Sequence, residues 1–371
     1  VEDCSSHLCS RWRLKISLCA CPTRYRNMRG CLPSAVAVVG LSLLSGARAI
    51  IKWNVTRVED TDDSRDLQLN LLRKLLASPP EDPFAFIGGY FDLDEVTKRL
   101  DEAKAGLKEA ASADPVQLAM VSTAQMCLFD NFLESFQLNQ LVAFAFDRRS
   151  YEFCQERAVA KASSFGLHCV KPLGCGSDCK GLAHNHFHSS SFFKIGWLKP
   201  LLVQFALQLS VKELVYMDVD NLELGDFLPH LQKSKSKRKG KILVNAENNQ
   251  PRAANSGFLY ASREALPCVI KWASYWRKHA SECIQECEKR QESSCDGCLS
   301  DQDVIDSHKH CFATNDQDTF VNHCCGEDVP EPGPDALTFH VVGTGDKVKS
   351  LQAAGLWHPA VLTASDCDYE G

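Results

Sequence analysis

Residues 212–227 read KELVYMDVDNLELGDF. An apolar run, Leu214-Val215-Tyr216-Met217, ends in two acids one residue apart, Asp218 and Asp220. The run has the length and composition of a short buried strand. In a mostly parallel sheet, ligands bind beyond the carboxyl ends of the strands. Two carboxylates at positions i and i+2 there can turn toward one cation. Such an oxygen-rich site suits Mg²⁺ or Mn²⁺ better than a soft metal. Asp and Asn after a strand are also ordinary turn formers, so the surrounding pattern has to decide.

Upstream of this stretch the chain alternates. Val116–Val121 reads as a strand, followed by a helix through Leu138. Residues 140–146 read as a strand, 151–160 as a helix and 165–170 as a third strand. Residues 174–188 form a loop holding His184, His186 and His188, read as a substrate-facing surface rather than a metal site. A long helix over 192–209 carries Lys194 and Lys199 into the central strand. Downstream, the basic run KSKSKRKGK at 233–241 reads as a solvated loop. Residues 241–247 and 255–261 read as strands and 267–288 as helical, with 315–334 a polar loop. Residues 337–342 are a last strand carrying His340, which runs into Gly343-Thr344-Gly345-Asp346-Lys347. This alternation predicts an α/β fold with a mostly parallel central sheet flanked by helices.

The front of the chain is different. Residues 1–27 are rich in Cys, Arg and Ser, show no period, and read as sequence upstream of a true start. From Met28 the pattern is that of a secretory signal peptide over 28–49: Arg29, an apolar run over 32–44, and Ala47-Arg48-Ala49 as an A-x-A end. The alternative is a signal anchor, although the apolar run is short for a span of ~20 residues. Residues 50–114 read as a lumenal stem, with leucines 69, 72 and 76 at helix spacing and a second amphipathic helix over 94–110. Asn54-Val55-Thr56 is a glycosylation acceptor on that stem.

The 371 residues are 44% hydrophobic, enough for a large core, and a formal charge of -6 gives no sign of a nucleic-acid partner. Of the 19 cysteines, five precede residue 50 and 14 remain, an even number. In an oxidising compartment they read as disulfides, and residues 283–325 hold the densest cluster. The competing reading is a zinc site on Cys283, Cys287, Cys295 and Cys298. Signal segment and cysteines together predict a Golgi or ER lumenal, or secreted, protein, attached to a membrane only through an uncleaved anchor.

Five features in order resemble the plant and algal family 77 glycosyltransferases, nucleotide-diphospho-sugar transferases of the Rossmann-like GT-A fold. They are the lysine-bearing helix, the D-x-D strand, Asn255-Ser256-Gly257-Phe258, the Asp301-Gln302 pair, and His340 followed by Gly343 and Lys347. The likeness spans residues 116–357 and marks 115–358 as the domain, with 359–371 a tail. Past Asp220 the chain departs from the family pattern: Leu222-Glu223 and Gly225-Asp226-Phe227 stand where members carry a Trp and a further acid or Arg-Asp-Pro.

The resemblance implies a metal-dependent retaining glycosyltransferase. It would move galactose, xylose or arabinose from a nucleotide diphosphate to a glycan or glycoprotein acceptor. Asp218, Asp220 and His340 would hold the metal. Imidazole is acceptable to Mn²⁺, so Mn²⁺ is the expected ion and Mg²⁺ the alternative. Lys194, Lys199, Asp218, Asn255, Gly257 and Lys347 would bind the nucleotide sugar, and Asp301 and Gln302 would line the reacting centre. Two other classes stand beside this: a non-catalytic lumenal sugar-binding or scaffold domain, and a D-x-D phosphatase or phosphotransferase with the first Asp as nucleophile. Metal-dependent release of nucleotide diphosphate from a nucleotide sugar separates them.

Overall fold

A computed structural model describes residues 39–40, 52–53, 82–109, 115–173, 188–209, 211–247, 250–324, 331–342 and 346–358. The chain divides into two compact units, residues 1–79 and 80–371. In the first, the described backbone is one short antiparallel ladder, Val39–Gly40 on Lys52–Trp53. The rest of the signal segment, the leucine stripe at 69–76 and Asn54 lie outside the described residues, as do His184, His186 and residues 359–371.

In the second unit, seven strands form one sheet. They are β1 Val116–Val121, β2 Gln140–Ala145, β3 Gly166–Val170, β4 Glu213–Met217, β6 Ile242–Glu247, β7 Gln250–Ser262 and β8 Phe312–Thr314. Their spatial order is β8-β6-β7-β4-β1-β2-β3. All neighbours are parallel except β7, which runs antiparallel to both β6 and β4. A second sheet joins β5 Asn221–Glu223, β9 Phe320–Cys324 and β10 Thr338–Val342 in the order β9-β10-β5. The result is the mixed, mostly parallel α/β sheet with flanking helices that the sequence predicts, in a GT-A-like arrangement.

The strands are near-continuous apolar runs because both faces of the sheet are covered. On one face lie α1 Leu93–Glu109, α4 Ser190–Leu209 and α6 Leu266–Tyr275, which pack Val96, Trp197, Leu201 and Trp272 over Leu118, Val142 and Tyr216. On the other, α2 Met126–Ser135 and the second sheet pack Phe129, Phe132, Phe320 and Phe339 over Leu141, Val215 and Phe258. Each fully buried side chain of this size contributes roughly 1.5–3 kcal/mol. The sequence reading placed the α1 helix in a stem. Its Val96, Leu100 and Ala103 instead join the first core.

Two further readings need correction. The basic run is not a loop at its start: α5 Leu228–Lys237 carries its first five residues as helix, with Leu231 buried beneath the lysines. Lysine is a good helix former, and a pattern of charges does not by itself mark a loop. The segment read as a polar loop over 315–334 contains β9, whose Phe320, Asn322 and His323 are buried.

The cysteine-rich segment closes on itself. Cys283 and Cys287 lie one turn apart on α7 Ser281–Lys289 and pair with Cys298 and Cys295. The four candidate zinc ligands are thus consumed in two disulfides. Cys268–Cys311 ties α6 to the start of β8, and Cys154–Cys169 ties α3 Arg148–Lys161 to β3. Cys127 is also disulfide-bonded. Cys175, Cys179, Cys325 and Cys367 lie outside the described residues. These bonds fit an oxidising compartment. Among the described residues, no helix is long and apolar enough to cross a membrane.

Candidate metal centre

Strand β4 ends at Met217, and its continuation carries Asp218 and Asp220 past the carboxyl edge of the sheet. The chain turns there, with the Asn221 N–H donating to the Asp218 carbonyl at 2.9 Å, and enters β5. Strand β10 runs antiparallel to β5 and sets His340 opposite Asn221. The Val341 N–H donates to the Asp220 carbonyl at 3.1 Å, which extends the ladder by one bond. A three-residue strand thus brings together residues 120 positions apart in sequence. Asp218, Asp220 and His340 each offer one ligand atom, and these lie within 4.8 Å of one another. Two carboxylates and one imidazole form a donor set for a hard or borderline divalent cation.

Each acid also meets a lysine. The Lys199 ammonium donates to Asp218 Oδ2 at 2.7 Å, and the Tyr216 hydroxyl donates to Asp218 Oδ1 at 2.7 Å. Lys347, at the start of α9 Lys347–Ala353, donates to Asp220 Oδ2. Asp220 Oδ1 faces His340 Nε2 at 3.1 Å. Burial alone would push the Asp220 carboxyl up, but Lys347 and His340 outweigh it and hold it below the usual carboxylate range. Lys199 shows the same contest. Burial disfavours its charge, yet Asp218, Asp301 and Asp220 around it raise its pKa above the ordinary lysine value.

Asp301, buried on the first turn of α8 Asp301–Ser307, lies near this group. Burial raises its pKa, while Lys199 and Ser256 act in the opposite direction. Its Oδ2 is buried without a partner. It approaches α4 at Gly196, where a Cβ would stand 2.6 Å from Asp301 Oδ1. Gln302 follows on the same turn.

The remaining expected residues separate. Lys194 and Lys199 are five positions apart on α4, about 140° around the helix. Lys199 points into the centre, whereas Lys194 donates to Glu288 of α7 at 2.5 Å. Asn255 and Gly257 sit on β7 beside the centre, but their observed partners are internal. Asn255 Oδ1 accepts from the Gly257 N–H at 2.7 Å, and the Gly257 carbonyl accepts from the Asp218 N–H at 2.8 Å. The group that comes close to Gly257 is the His340 imidazole. His188 pairs with Asp296 at 2.6 Å.

Sequence reasoning missed Tyr216 and Asn322. Tyr216 was legible, because strand alternation puts it on the face of Asp218 two residues on. Asn322, on β9 opposite His340, presents its Oδ1 to His340 Nδ1 at 3.1 Å. A cavity of about 450 Å³ opens beside this pair, lined in part by Ala246, Asn322, Phe339, Asp318, Glu331 and Asp335.

No family model matches the sequence, and no curated protein matches it. Among solved structures, the chain is similar to mouse xyloside xylosyltransferase 1 in its apo form. The identity is 14% and the TM-score 0.37, over 62% of this chain and 98% of that one. It is also similar to a mannose-1-phosphate geranyltransferase from Thermus thermophilus. There the identity is 11% and the TM-score 0.25, over 52% of this chain and 67% of that one.

Proposed function

We propose that the chain is a divalent-metal-dependent glycosyltransferase that uses a nucleotide-diphosphate sugar. The observation that carries this reading is the convergence of Asp218, Asp220 and His340 at the carboxyl edge of the sheet, with Lys199 and Lys347 on the two acids. Carboxylates, an imidazole and two ammonium groups in one place match a ligand that is both metal-chelating and polyanionic. Mn²⁺ is the ion we assign, with Mg²⁺ the alternative, because the imidazole favours the softer of the two.

The residues divide the work. Asp218, Asp220 and His340 would hold the ion, which when bound supplies positive charge to the diphosphate as it departs. Lys347 and Lys199 would turn from their carboxylates to phosphate oxygens as point charges. Asp301 would lie along the reacting face, its carboxyl desolvated and short of one partner. The bond from the anomeric carbon to the diphosphate oxygen breaks, and an acceptor hydroxyl oxygen bonds that carbon. Its proton leaves with the released diphosphate. The retained configuration, the donor sugars galactose, xylose or arabinose, and the glycan or glycoprotein acceptor come from the family 77 resemblance. Donor binding by Asn255 and Gly257 and a place for Gln302 at the reacting centre come from the same source, whereas a lumenal or secreted location rests on the signal-type segment and the cysteines, and glycosylation at Asn54 on its Asn-Val-Thr acceptor. Lys194, held by Glu288, is the weakest member of that set.

A panel of nucleotide sugars incubated with the protein and Mn²⁺ tests the reading by release of nucleotide diphosphate. We expect one or a few donors to be turned over, with activity lost on chelation and in Asp220→Asn. No release from any donor, with Mn²⁺ bound stoichiometrically, would favour the non-catalytic alternative. Release of inorganic phosphate from phosphomonoesters would favour the phosphatase.

A further inference from the structure

Asn322 is a buried amide in a strand whose neighbours are mostly apolar, and all of its polar atoms are engaged. Its Nδ2 donates to the Ala246 carbonyl at 2.8 Å, which fixes which way the amide faces. A carbonyl can only accept, so the atom aimed at Ala246 is the NH₂ group. Asn322 Oδ1 is therefore the atom that meets His340 Nδ1 at 3.1 Å. An amide oxygen also only accepts, so His340 Nδ1 carries a proton. In the neutral ring the lone pair then sits on Nε2, the atom that faces Asp220 Oδ1 at 3.1 Å.

When the ring is neutral, Nε2 and Asp220 Oδ1 are both acceptors at that distance, an arrangement that a divalent cation between or beside them would satisfy. The opposite tautomer would place a proton on Nε2, donate it to Asp220, and fill the direction that a metal must use. It would also turn the Nδ1 lone pair against Asn322 Oδ1. The amide therefore works against the local hydrogen bond that Asp220 would otherwise capture.

Asn322 is itself held from behind. Asn245 Nδ2 approaches Asn322 Oδ1 at 3.5 Å, and Asn315 Nδ2 donates to Asn245 Oδ1 at 3.3 Å. All three asparagines are buried. They sit on β9, on β6 and just past β8, so the brace ties the second sheet to the edge of the main one. Such outer partners of a ligating histidine typically change metal affinity by 10–100-fold when removed.

We propose that Asn322 is a positioning residue that holds His340 in the Nδ1–H tautomer, keeping Nε2 unprotonated and aimed at the metal position, with Asn245 and Asn315 as its support. This rests on the metal-centre reading above, but it makes a claim about the metal-free protein that can be read separately.

The test uses the full chain. Nitrogen-15 NMR of histidine-labelled protein, followed with rising pH until the His340 ring shifts stop changing, reads the tautomer of the neutral ring with no metal present. The resonance is assigned by its loss in His340→Gln. We expect Nδ1–H in the wild type, a shift toward Nε2–H in Asn322→Leu, and Nδ1–H retained in Asn322→Asp, whose carboxylate still accepts. Mn²⁺ titration by calorimetry should show affinity reduced about 10–100-fold in Asn322→Leu and within a few-fold of wild type in Asn322→Asp. In a His340→Gln background the Asn322→Leu change should cost no further affinity. An Nε2–H wild type would overturn the proposal, as would equal Mn²⁺ affinity in wild type and Asn322→Leu, or a full Asn322→Leu penalty without His340. Wild-type protein that shows the expected tautomers but binds no Mn²⁺ would support the positioning role and overturn the metal reading alone. If Asn322→Leu does not fold, Asn322→Ser, which keeps a smaller acceptor, and Asn322→Asp carry the same comparison.

Discussion

The His340 imidazole occupies the space that a side chain on Gly257 would need: a Cβ there would stand 2.1 Å from Cε1 and 2.8 Å from both ring nitrogens. The glycine is the wall against which the histidine rests, at the Cε1 edge between the nitrogens that face Asn322 and Asp220. Gly257→Ala should therefore push the ring off the metal position. We expect Mn²⁺ affinity to fall by at least about 10-fold and stability to fall by about 1–3 kcal/mol from overpacking. Calorimetry and urea unfolding measure the two. Wild-type affinity in this variant would remove His340 from the ligand set.

Asp220→Asn separates charge from shape. The variant loses a ligand and leaves Lys347 beside a neutral amide. Transfer should drop about 100-fold or more, since a charge-stabilising contact is worth about that much. Breaking a buried ion pair from one side costs about 3 kcal/mol, so unfolding should shift as well. Normal donor turnover would contradict the assignment of Asp220 to the centre.

Glu223 gives the fold a pH dependence of its own. It is buried on β5, takes a hydrogen bond from the Gln137 N–H at 2.8 Å, and burial raises its pKa to about 7. Unfolded, it would titrate near 4.5. Between those values the unfolded chain gives up its proton while the folded one keeps it, so stability falls as pH rises from about 4.5 to about 7 and then levels. The loss over that window is about 3 kcal/mol. Glu223→Gln mimics the protonated form and should flatten the slope. Urea midpoints at several pH values check this, and parallel profiles for both proteins would refute it.

Peptide mapping without reduction should recover Cys283–Cys298, Cys287–Cys295, Cys268–Cys311 and Cys154–Cys169. Removing Cys283–Cys298, which spans a separation of 15 residues, should cost about 3 kcal/mol. Stoichiometric zinc with four free thiols would instead restore the metal reading of that cluster.

The parallel strands were legible because β1, β2 and β4 are near-continuous apolar runs, as strands of a sheet covered on both faces are. Asp218 and Asp220 were legible as acids at a strand end. That His340 joins them was legible only from the order of motifs. Its physical carrier, β5, has three residues, too few to show a period. Lys194 was read together with Lys199, although their five-residue spacing already sets them about 140° apart on a helix. Asn322 was hidden for a related reason. Asn is depleted in strands, so an alternation of Phe320, Val321, Asn322 and His323 read as polar loop until the neighbouring strands were in place.

The two lysines make the centre electrically self-balanced, with two carboxylates against two ammonium groups. A lone dication must displace both ammonium groups from their carboxylates, and a lone diphosphate must approach those carboxylates. A metal–diphosphate complex meets neither obstacle, because each released lysine finds a phosphate oxygen as its carboxylate takes the ion. We therefore expect the two ligands to bind cooperatively, each raising the affinity for the other by one common factor, as linkage requires. Mn²⁺ titrations with and without a nucleoside diphosphate measure that factor, and a value of one would show that the lysines do not exchange partners. On this basis we expect the protein to select a preformed metal–diphosphate chelate, with free metal and free nucleotide each a poor competitor.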